Sequence, residues 1–318
     1  MITQQDRFLF LETKGRVFRV DLNRRPVGSG AMGTVFLGVD CNTGEKVAVK
    51  RVFDKYANIP EIRKRAKQEA SLMFRHDNLI EMLGCCEYEP DYGPIFIISK
   101  FVYGVNINKY LDYNMSRDKD SCMKICNMFM PVLEALEYLH AKNILHLDVK
   151  PSNIMVENGR NVRLMDLGIA QIAWSGGSST TNGMIGTPKY AAPEQMQYGT
   201  SVSTPTFRSD IYEAAVTLYE LLTGNNPYSG DSLEEIKEKH YRLELPENQI
   251  VPRPVLEVLR KATDPDPLQR YATVWEFKTS LRQALLKPRV DYRYWVIGSI
   301  ALLTIIILLI IMITMIYG

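Results

Sequence analysis

The stretch HLDVKPSN, residues 146–153, places three chemically active side chains within six residues. Asp148 can accept the proton of a hydroxyl group, and Lys150 can neutralise charge on a transferring phosphoryl group. Asn153 can hold a divalent cation. Thirteen residues after Asn153 comes Asp166, which follows an apolar segment and precedes a glycine turn, a setting that suits magnesium chelation. Together these residues predict a site for phosphoryl transfer.

A glycine-rich segment, GSGAMGTV at residues 28–35, lies upstream of this site. Glycines at these spacings let the backbone approach phosphate oxygens closely, although an ordinary hairpin turn has the same pattern. A dinucleotide site would require a helix directly after the glycines. Here residues 34–39, TVFLGV, form a β-branched strand pattern instead, which favours a hairpin lid over phosphates.

Lys50 ends the apolar strand pattern VAVK, residues 47–50. A buried lysine needs an anionic partner, which nucleotide phosphate and a helix glutamate would supply. Glu69 is the candidate glutamate, because apolar residues lie three and four positions on and share its helix face. Glu61 is the rival, but it fits a first-turn acid that the helix dipole favours.

These segments together resemble the eukaryotic-type protein kinase superfamily over roughly residues 20–285. The resemblance implies an α+β fold of two lobes, β-rich and then helical, with ATP and Mg²⁺ (Mn²⁺ as the alternative) in the cleft. The implied catalytic and metal-binding residues are Asp148 as the base, Lys150, Lys50, Glu69, and the metal ligands Asn153 and Asp166. The implied ATP contacts are Val27, Gly28, Ser29, Gly30, Ala31, Met32, Gly33, Val35, Lys50, Lys100 and Val102.

The resemblance also assigns structural roles. Residues 192–194, APE, match the end of the activation segment, and Arg270 is implied as the partner of Glu194. Asp210 is implied as an acidic residue on a helix that supports the catalytic loop, residues 146–153.

The chain departs from the family pattern in its catalytic loop. Leu147 replaces the arginine that usually precedes the catalytic aspartate, and Leu167 replaces the phenylalanine after the magnesium aspartate. At the hinge, the alignment places Ser99 at the gatekeeper position and assigns adenine binding to the backbone of Lys100 and Val102.

The substrate class follows from two features. Tyrosine-specific members usually lack a lysine two positions after the catalytic aspartate, whereas this chain has Lys150. Residues 186–190, GTPKY, also resemble serine/threonine-specific members, and protein serine or threonine side chains are the expected substrates. The chain looks closest to bacterial serine/threonine kinases, many of which carry one membrane span. Two alternatives stay open: a pseudokinase that acts as a membrane-bound scaffold, which Leu147 favours, and a small-molecule kinase of related fold.

Composition excludes some other functions. Lysine plus arginine total 38 and aspartate plus glutamate 36, so no broad attraction to nucleic acid is expected. The five cysteines are an odd number and show no CxxC pair, which favours reduced packing residues over disulfides or zinc ligands.

Residues 295–317 form a run of 23 residues without a charge. A helix of that length is roughly 35 Å long, enough to cross a hydrocarbon core of about 30 Å. Aromatic residues flank the run, and the basic residues Lys287, Arg289 and Arg293 precede it. The positive-inside rule therefore predicts a single-pass, tail-anchored membrane protein whose kinase domain is cytoplasmic.

Periodicity predicts how the chain is divided. Residues 17–103 read mostly as strands, with one basic helix near residues 60–74, and residues 104–286 read mostly as helices, including 121–141 and 209–223. The expected domains are an N-lobe with an N-terminal extension (1–102), a C-lobe (103–286), a basic juxtamembrane linker (287–294) and a membrane helix (295–317).

A hydroxyl cluster in the activation segment predicts autophosphorylation, with a homodimer as the arrangement for reaction in trans, although a solvated glycine- and serine-rich loop has the same composition. Thr180 and Thr181 are the first candidates, and Ser178 and Ser179 the next. In most relatives such a phosphate pairs with the arginine that Leu147 replaces here. Because leucine has no donor, we expect phosphorylation to bias the loop only weakly.

Overall fold

The computed structural model describes residues 1–30, 33–60, 63–64, 67, 75–88, 92–166, 187–196, 204–286, 303–307 and 312. The chain divides into two compact units, residues 1–285 and residues 286–318. The first unit holds an antiparallel sheet followed by a helical region, so the predicted two-lobed α+β architecture is confirmed.

The N-terminal lobe is an eight-stranded antiparallel sheet with the order β1-β2-β3-β5-β6-β8-β7, and β4 pairs with β5. Its strands are β1 (Ile2–Gln5), β2 (Phe8–Thr13), β3 (Arg16–Asp21), β4 (Gly28–Ser29), β5 (Gly33–Asp40), β6 (Lys46–Val52), β7 (Met82–Glu87) and β8 (Ile95–Lys100). Apolar side chains from β2, β3, β6, β7 and β8 form one buried cluster in this lobe. Alternating burial along the strands explains why the sheet can bury one face here.

The sheet begins earlier than periodicity suggested. Strands were expected from residue 17, but β1 and β2 already pair within residues 2–13. The connection from β2 to β3 is a two-residue turn at Lys14 and Gly15, both with positive φ, which matches the twist of a hairpin. β2 also approaches β7, where the Cys86 thiol donates to the Glu12 carbonyl oxygen. The N-terminal extension is therefore an integral part of the lobe.

The second lobe is mainly helical. Its helices, together with the short α1 (Asp54–Ala57) of the first lobe, are α2 (Ile107–Asn114), α3 (Ser121–His140), α4 (Pro193–Met196), α5 (Phe207–Thr223), α6 (Leu233–Arg242), α7 (Arg253–Ala262) and α8 (Val274–Leu286). The helices expected at 121–141 and 209–223 are confirmed, although α5 begins two residues earlier, after the capping residue Thr206. Gly224 ends α5 with a left-handed φ of 79°. Every residue of α5 from Ser209 to Thr223 is buried, which makes it the central helix of the lobe.

A small sheet connects the two lobes. It contains β9 (Gly104–Asn106), β10 (Ile154–Glu157) and β11 (Asn161–Leu164). The Leu164 amide donates to the Asn78 carbonyl oxygen at 2.8 Å, and the Ile80 amide donates to the Leu164 carbonyl oxygen at 3.1 Å. These bonds fix the end of β11, and with it the start of the Asp166 segment, against the first lobe.

In the second unit the structure describes residues 286, 303–307 and 312, all of which are helical. Among the residues described, there is no helix of sufficient length and apolarity to cross a membrane. The remainder of the predicted span 295–317, and the whole predicted linker 287–294, lie outside the described residues.

Candidate active site

Asp148 is the centre of a compact polar cluster. Lys150 Nζ lies 2.7 Å from Asp148 Oδ2 and donates to Asp148 Oδ1 at 2.9 Å. The hydroxyl of Thr187 donates to Asp148 Oδ1 at 3.0 Å and accepts from Lys150 Nζ at 2.6 Å. Asn153 Nδ2 donates to Asp148 Oδ2 at 2.9 Å. The carboxylate is thus oriented from three sides, and three of the residues predicted from one short motif lie together.

The loop that carries Asp148 is held by the central helix α5. Asp210 Oδ2 accepts from the His146 amide at 2.9 Å, and Asp210 Oδ1 accepts from the Leu147 amide at 2.6 Å. His140 Nε2 also lies 2.7 Å from Asp210 Oδ2. Leu147 is buried with a φ of 55°, a strained value for leucine that these bonds help to maintain. The predicted bracing role of Asp210 therefore has a direct geometric basis.

A backbone hydrogen bond brings the two predicted metal ligands, Asn153 and Asp166, close together. The Met165 amide donates to the Asn153 carbonyl oxygen at 2.8 Å, which places Asp166 beside Asn153. Asn153 Nδ2 is committed to Asp148, so its Oδ1 is the side-chain atom left for a cation. Within the described ranges no group of three or more His, Cys, Asp and Glu residues could hold a metal. An amide oxygen and one carboxylate nevertheless fit Mg²⁺, which usually takes few protein ligands and completes its shell with waters and substrate phosphates.

Lys50 reaches the same site from the sheet. Its Nζ lies 3.1 Å from Asp166 Oδ1, and Asp166 adopts a left-handed φ of 52°. Desolvation disfavours the charged form of Asp166, but the charge and hydrogen bond of Lys50, together with the nearby charge of Lys150, act in the opposite direction, and the net effect lowers the pKa of this carboxyl. Asp166 therefore stays ionised, as a metal ligand must. Glu69, the predicted partner of Lys50, lies outside the described residues.

The glycines of the predicted lid serve different purposes. A Cβ at Gly33 would clash with the carbonyl oxygen of Arg51 on the paired strand β6, so pairing of β5 and β6 requires glycine there. A Cβ at Gly28 or Gly30 would meet no described protein atom within 4 Å. Protein packing does not demand these two glycines, and their open backbone suits close approach by phosphate. Ala31 and Met32, which the sequence also assigns to the lid, lie outside the described residues.

The hinge geometry refines the adenine prediction. The Lys100 amide donates to the Glu81 carbonyl oxygen at 2.9 Å. Only the carbonyl group of Lys100 could therefore contribute to adenine binding, as the acceptor for an amino group. Val102 is buried at the end of this segment, close to the start of the second lobe.

The segment 187–196 is anchored by a buried ion pair. Arg270 Nη1 donates to Glu194 Oε1 at 2.8 Å, and Nη2 donates to Glu194 Oε2 at 2.9 Å. The hydroxyl of Ser209 donates to Glu194 Oε1 at 2.6 Å. The pairing of Glu194 with Arg270, expected from the family pattern, is thus present.

Comparison with known proteins identifies the architecture. The sequence profile of the protein kinase domain matches residues 22–283. The chain belongs to the protein kinase domain family. The family match confirms the predicted protein kinase domain, and the relatives named below are serine/threonine-protein kinases.

Among the relatives of this kinase, the serine/threonine-protein kinase PrkC of Bacillus subtilis is 30% identical over 279 residues, which cover 86% of this chain and 42% of PrkC. The serine/threonine-protein kinase PknB of Mycobacterium tuberculosis is 33% identical over 268 residues, which cover 80% of this chain and 41% of PknB. The chain thus spans about two fifths of the length of these curated relatives.

A solved structure supports the kinase fold. The crystal structure of the Mycobacterium tuberculosis PknI kinase domain superposes with a TM-score of 0.61 and 24% sequence identity, covering 84% of this chain and 95% of that one. At this identity the similarity shows the fold alone.

Several predicted kinase residues lie outside the described residues. They are Ala31, Met32, Glu69, Leu167 and the candidate phosphosites Ser178, Ser179, Thr180 and Thr181. Their predicted roles stay predictions.

Sequence reasoning missed two residues that contact the catalytic loop. Thr187 was noted only as part of a family-like segment, although its hydroxyl bonds both Asp148 and Lys150. Glu213 was not considered, yet its Oε2 accepts from the Val149 amide at 2.7 Å. Burial and the nearby carboxylate of Asp210 raise the pKa of Glu213 well above its ordinary value. A carboxylate one helical turn after Asp210 was the available signal.

His240 on α6 forms a hydrogen bond to the segment 187–196. Its Nε2 lies 3.1 Å from the Pro188 carbonyl oxygen, which can only accept, so Nε2 carries the proton. Its Nδ1 then accepts from the Tyr212 hydroxyl at 2.6 Å. The ring also stacks on Tyr228 with a centroid distance of 4.1 Å. Burial lowers the pKa of His240 to about 3, so the folded protein keeps this imidazole neutral.

We expect the folded kinase to lose stability in acid through His240. The unfolded imidazole titrates near pH 6.5, so the contribution is complete above that pH and is lost as pH falls from about 6.5 towards 3. The change in unfolding free energy is on the order of 5 kcal/mol over this range. Denaturant unfolding at stepped pH should show a steeper decline for wild type than for His240→Gln, which does not titrate. Equal slopes would contradict the assignment.

Proposed function

We propose that this chain transfers the γ-phosphoryl group of Mg-ATP to serine and threonine hydroxyls of protein substrates. The observation that carries the proposal is the contact of Lys150 Nζ with both the Asp148 carboxylate and the Thr187 hydroxyl. This contact brings together the candidate base, the positively charged ammonium group of Lys150 and the segment 187–196. That segment is called the docking segment from here on. The names of the relatives PrkC and PknB support the same acceptor class.

The geometry assigns each of these side chains a role in phosphoryl transfer. Asp148 is oriented to accept the proton of an incoming hydroxyl group. Lys150, next to it, would stabilise negative charge on the phosphoryl group during transfer. Lys50 would bind the α- and β-phosphates, while Asn153 and Asp166 would hold Mg²⁺, with Mn²⁺ as the alternative. When bound, the cation would supply positive charge that neutralises the phosphates of ATP.

The test is a phosphotransfer assay with labelled ATP and peptides that carry a single serine, threonine or tyrosine. We expect phosphoserine and phosphothreonine only, with transfer that depends on added Mg²⁺ or Mn²⁺. ATP binding without transfer to any peptide would instead support the pseudokinase scaffold. Phosphorylation of small alcohols without peptide transfer would support the small-molecule kinase.

We also propose that residues 295–317 attach the chain to a membrane, with the kinase domain in the cytoplasm. The support is the run of 23 residues without a charge and the basic residues 287, 289 and 293 that precede it. A central arginine costs about 2.5–3.5 kcal/mol in membrane insertion. Ile306→Arg with Leu309→Arg should therefore move the protein from the membrane to the soluble fraction after gentle lysis. The control, Ile306→Leu with Leu309→Ile, should stay in the membrane, and wild type in the soluble fraction would contradict the proposal.

Autophosphorylation within residues 178–181, in trans between two copies, is the third proposal. Leu147 lacks the donor that would pair a phosphate, and its amide is already bonded to Asp210. We expect phosphosite mapping to find phosphate on residues 178–181 of wild type and none there in the variant with alanine at Ser178, Ser179, Thr180 and Thr181. It should retain at least about a tenth of its activity on an exogenous peptide, a loss of at most about 1.4 kcal/mol. A fall of several orders of magnitude would show that other basic residues replace the missing arginine.

A further inference from the structure

A chain of buried hydrogen bonds connects the docking segment to the catalytic loop. The Ala192 amide donates to Gln195 Oε1 at 2.6 Å, and Gln195 Nε2 donates to Glu213 Oε1 at 2.8 Å. The second oxygen of Glu213 accepts from the Val149 amide at 2.7 Å. Gln195 is 0% exposed and Glu213 1%, so water cannot replace these bonds at low cost.

The chain ends at the residue between the candidate base and the candidate phosphoryl-binding lysine. Val149 separates Asp148 from Lys150, and α5 holds both of its backbone groups. Glu213 takes the amide, and the hydroxyl of Thr217, one turn further along the helix, donates to the Val149 carbonyl oxygen at 2.8 Å. The backbone dihedrals around Val149 determine where the Asp148 and Lys150 side chains begin.

Glu213 differs from Asp210 in what it contacts. Asp210 accepts from the backbone of the catalytic loop and lies against His140. Glu213 has one oxygen on the catalytic loop and the other on Gln195 of the docking segment. A side chain that only filled space in this core would not need one oxygen on each segment. Burying a carboxylate beside Asp210 is also unfavourable unless its hydrogen bonds compensate for the cost. The division of its two oxygens points to a link between the two segments.

We propose that Glu213 is a positioning residue that couples the docking segment to the catalytic loop. Seating of the segment around Ala192 and Gln195 fixes Glu213, and Glu213 fixes the backbone beside Asp148. The proposal rests on the proposed kinase function, because the loop that it positions is the one assigned to phosphoryl transfer.

An exchange of the two side chains tests the coupling. In Glu213→Gln the new amide nitrogen faces the Gln195 amide nitrogen. If the Gln195 side-chain amide flips by 180°, its nitrogen faces the backbone amide of Ala192 instead. In either orientation two hydrogen-bond donors face each other and one bond is lost. In Gln195→Glu two carboxyl groups meet. The double variant Glu213→Gln/Gln195→Glu restores every bond, because the new glutamine donates to the new glutamate, which still accepts from Ala192.

The kinetic test uses the 318-residue chain and its variants in mild detergent. Each single variant lowers kcat for peptide phosphorylation by about 10- to 100-fold, the usual effect of a small displacement of catalytic groups. The KM for ATP stays within about twofold, because no ATP contact assigned to this chain is changed. The double variant recovers to within about threefold of wild type, since neighbouring substitutions in one network are not additive.

A second measurement reads the coupling without catalysis. Hydrogen exchange of the Val149 amide should be faster in Gln195→Glu than in wild type, although the hydrogen-bond partner of that amide is Glu213, and should return to the wild-type rate in the double variant. If wild type itself transfers no phosphate, the proposed function is wrong, and the exchange data decide the coupling alone. Single variants with wild-type kcat and wild-type exchange would overturn the proposal. So would a double variant that folds but recovers neither property.

Discussion

Asp148→Asn is expected to lower kcat for peptide phosphorylation by about 10²- to 10⁴-fold, the range that a positioned general base contributes. The neutral amide cannot take the hydroxyl proton. Its nitrogen would also face donors, because Lys150, Thr187 and Asn153 all donate to the native carboxylate. ATP binding should change little, since Asp148 is not among the assigned phosphate or metal contacts. Steady-state kinetics with Mg-ATP and a serine peptide, together with an ATP titration, measure both effects.

A matched control separates this effect from the general consequences of an Asp-to-Asn change. Asp112 lies on α2, is 58% exposed and pairs with Arg117 at 2.7 Å. Asp112→Asn should leave kcat within about twofold of wild type, because surface pairs contribute little. If Asp148→Asn were as active as Asp112→Asn, Asp148 would not be the base, and the assignment of the catalytic loop would be wrong.

Residues 146–153 could be interpreted from sequence because their chemistry is local. Asp148, Lys150 and Asn153 are separated by a few residues, and a short loop with one 3₁₀ turn at Pro151–Asn153 brings them together. Helices such as Ser121–His140 could be predicted for the same reason, since their apolar period is a property of neighbouring residues. In both cases the information lies within about twenty residues of chain.

Contacts that join distant segments could not be predicted in this way. Thr187 reaches Lys150 across 37 residues, and Val149 reaches Glu213 across 64. Both contacts depend on how the docking segment and α5 pack, which no local pattern encodes. The strands at residues 2–13 were missed for a different reason. Their sequence signal is a run of only four apolar residues, Phe8 to Leu11, before the Lys14–Gly15 turn, and their stability comes from pairing with β3.

Breaking the buried pair between Glu194 and Arg270 should have the largest effect on stability. Arg270 is 3% exposed, and its guanidinium bonds both oxygens of Glu194 and lies 4.7 Å over the ring of Tyr212. Removing one partner leaves the other charge buried and uncompensated, at a cost of about 3–5 kcal/mol. Arg270→Met and Glu194→Gln should therefore each lower the melting temperature by roughly 10 °C, at about 2–4 °C per kcal/mol for a domain of this size.

The pair of substitutions made together distinguishes a buried charge from lost packing. Glu194→Gln/Arg270→Met leaves neither charge, so its loss of stability should be smaller than the sum of the two single losses. The control is Arg253→Met, since Arg253 and Glu257 form a surface pair at 3.1 Å with side chains 78% and 60% exposed. That change should cost less than about 1 kcal/mol. Additive losses in the double variant would mean that the carbonyl groups bonded by Arg270, at Asp264, Pro265 and Arg208, dominate the stability instead.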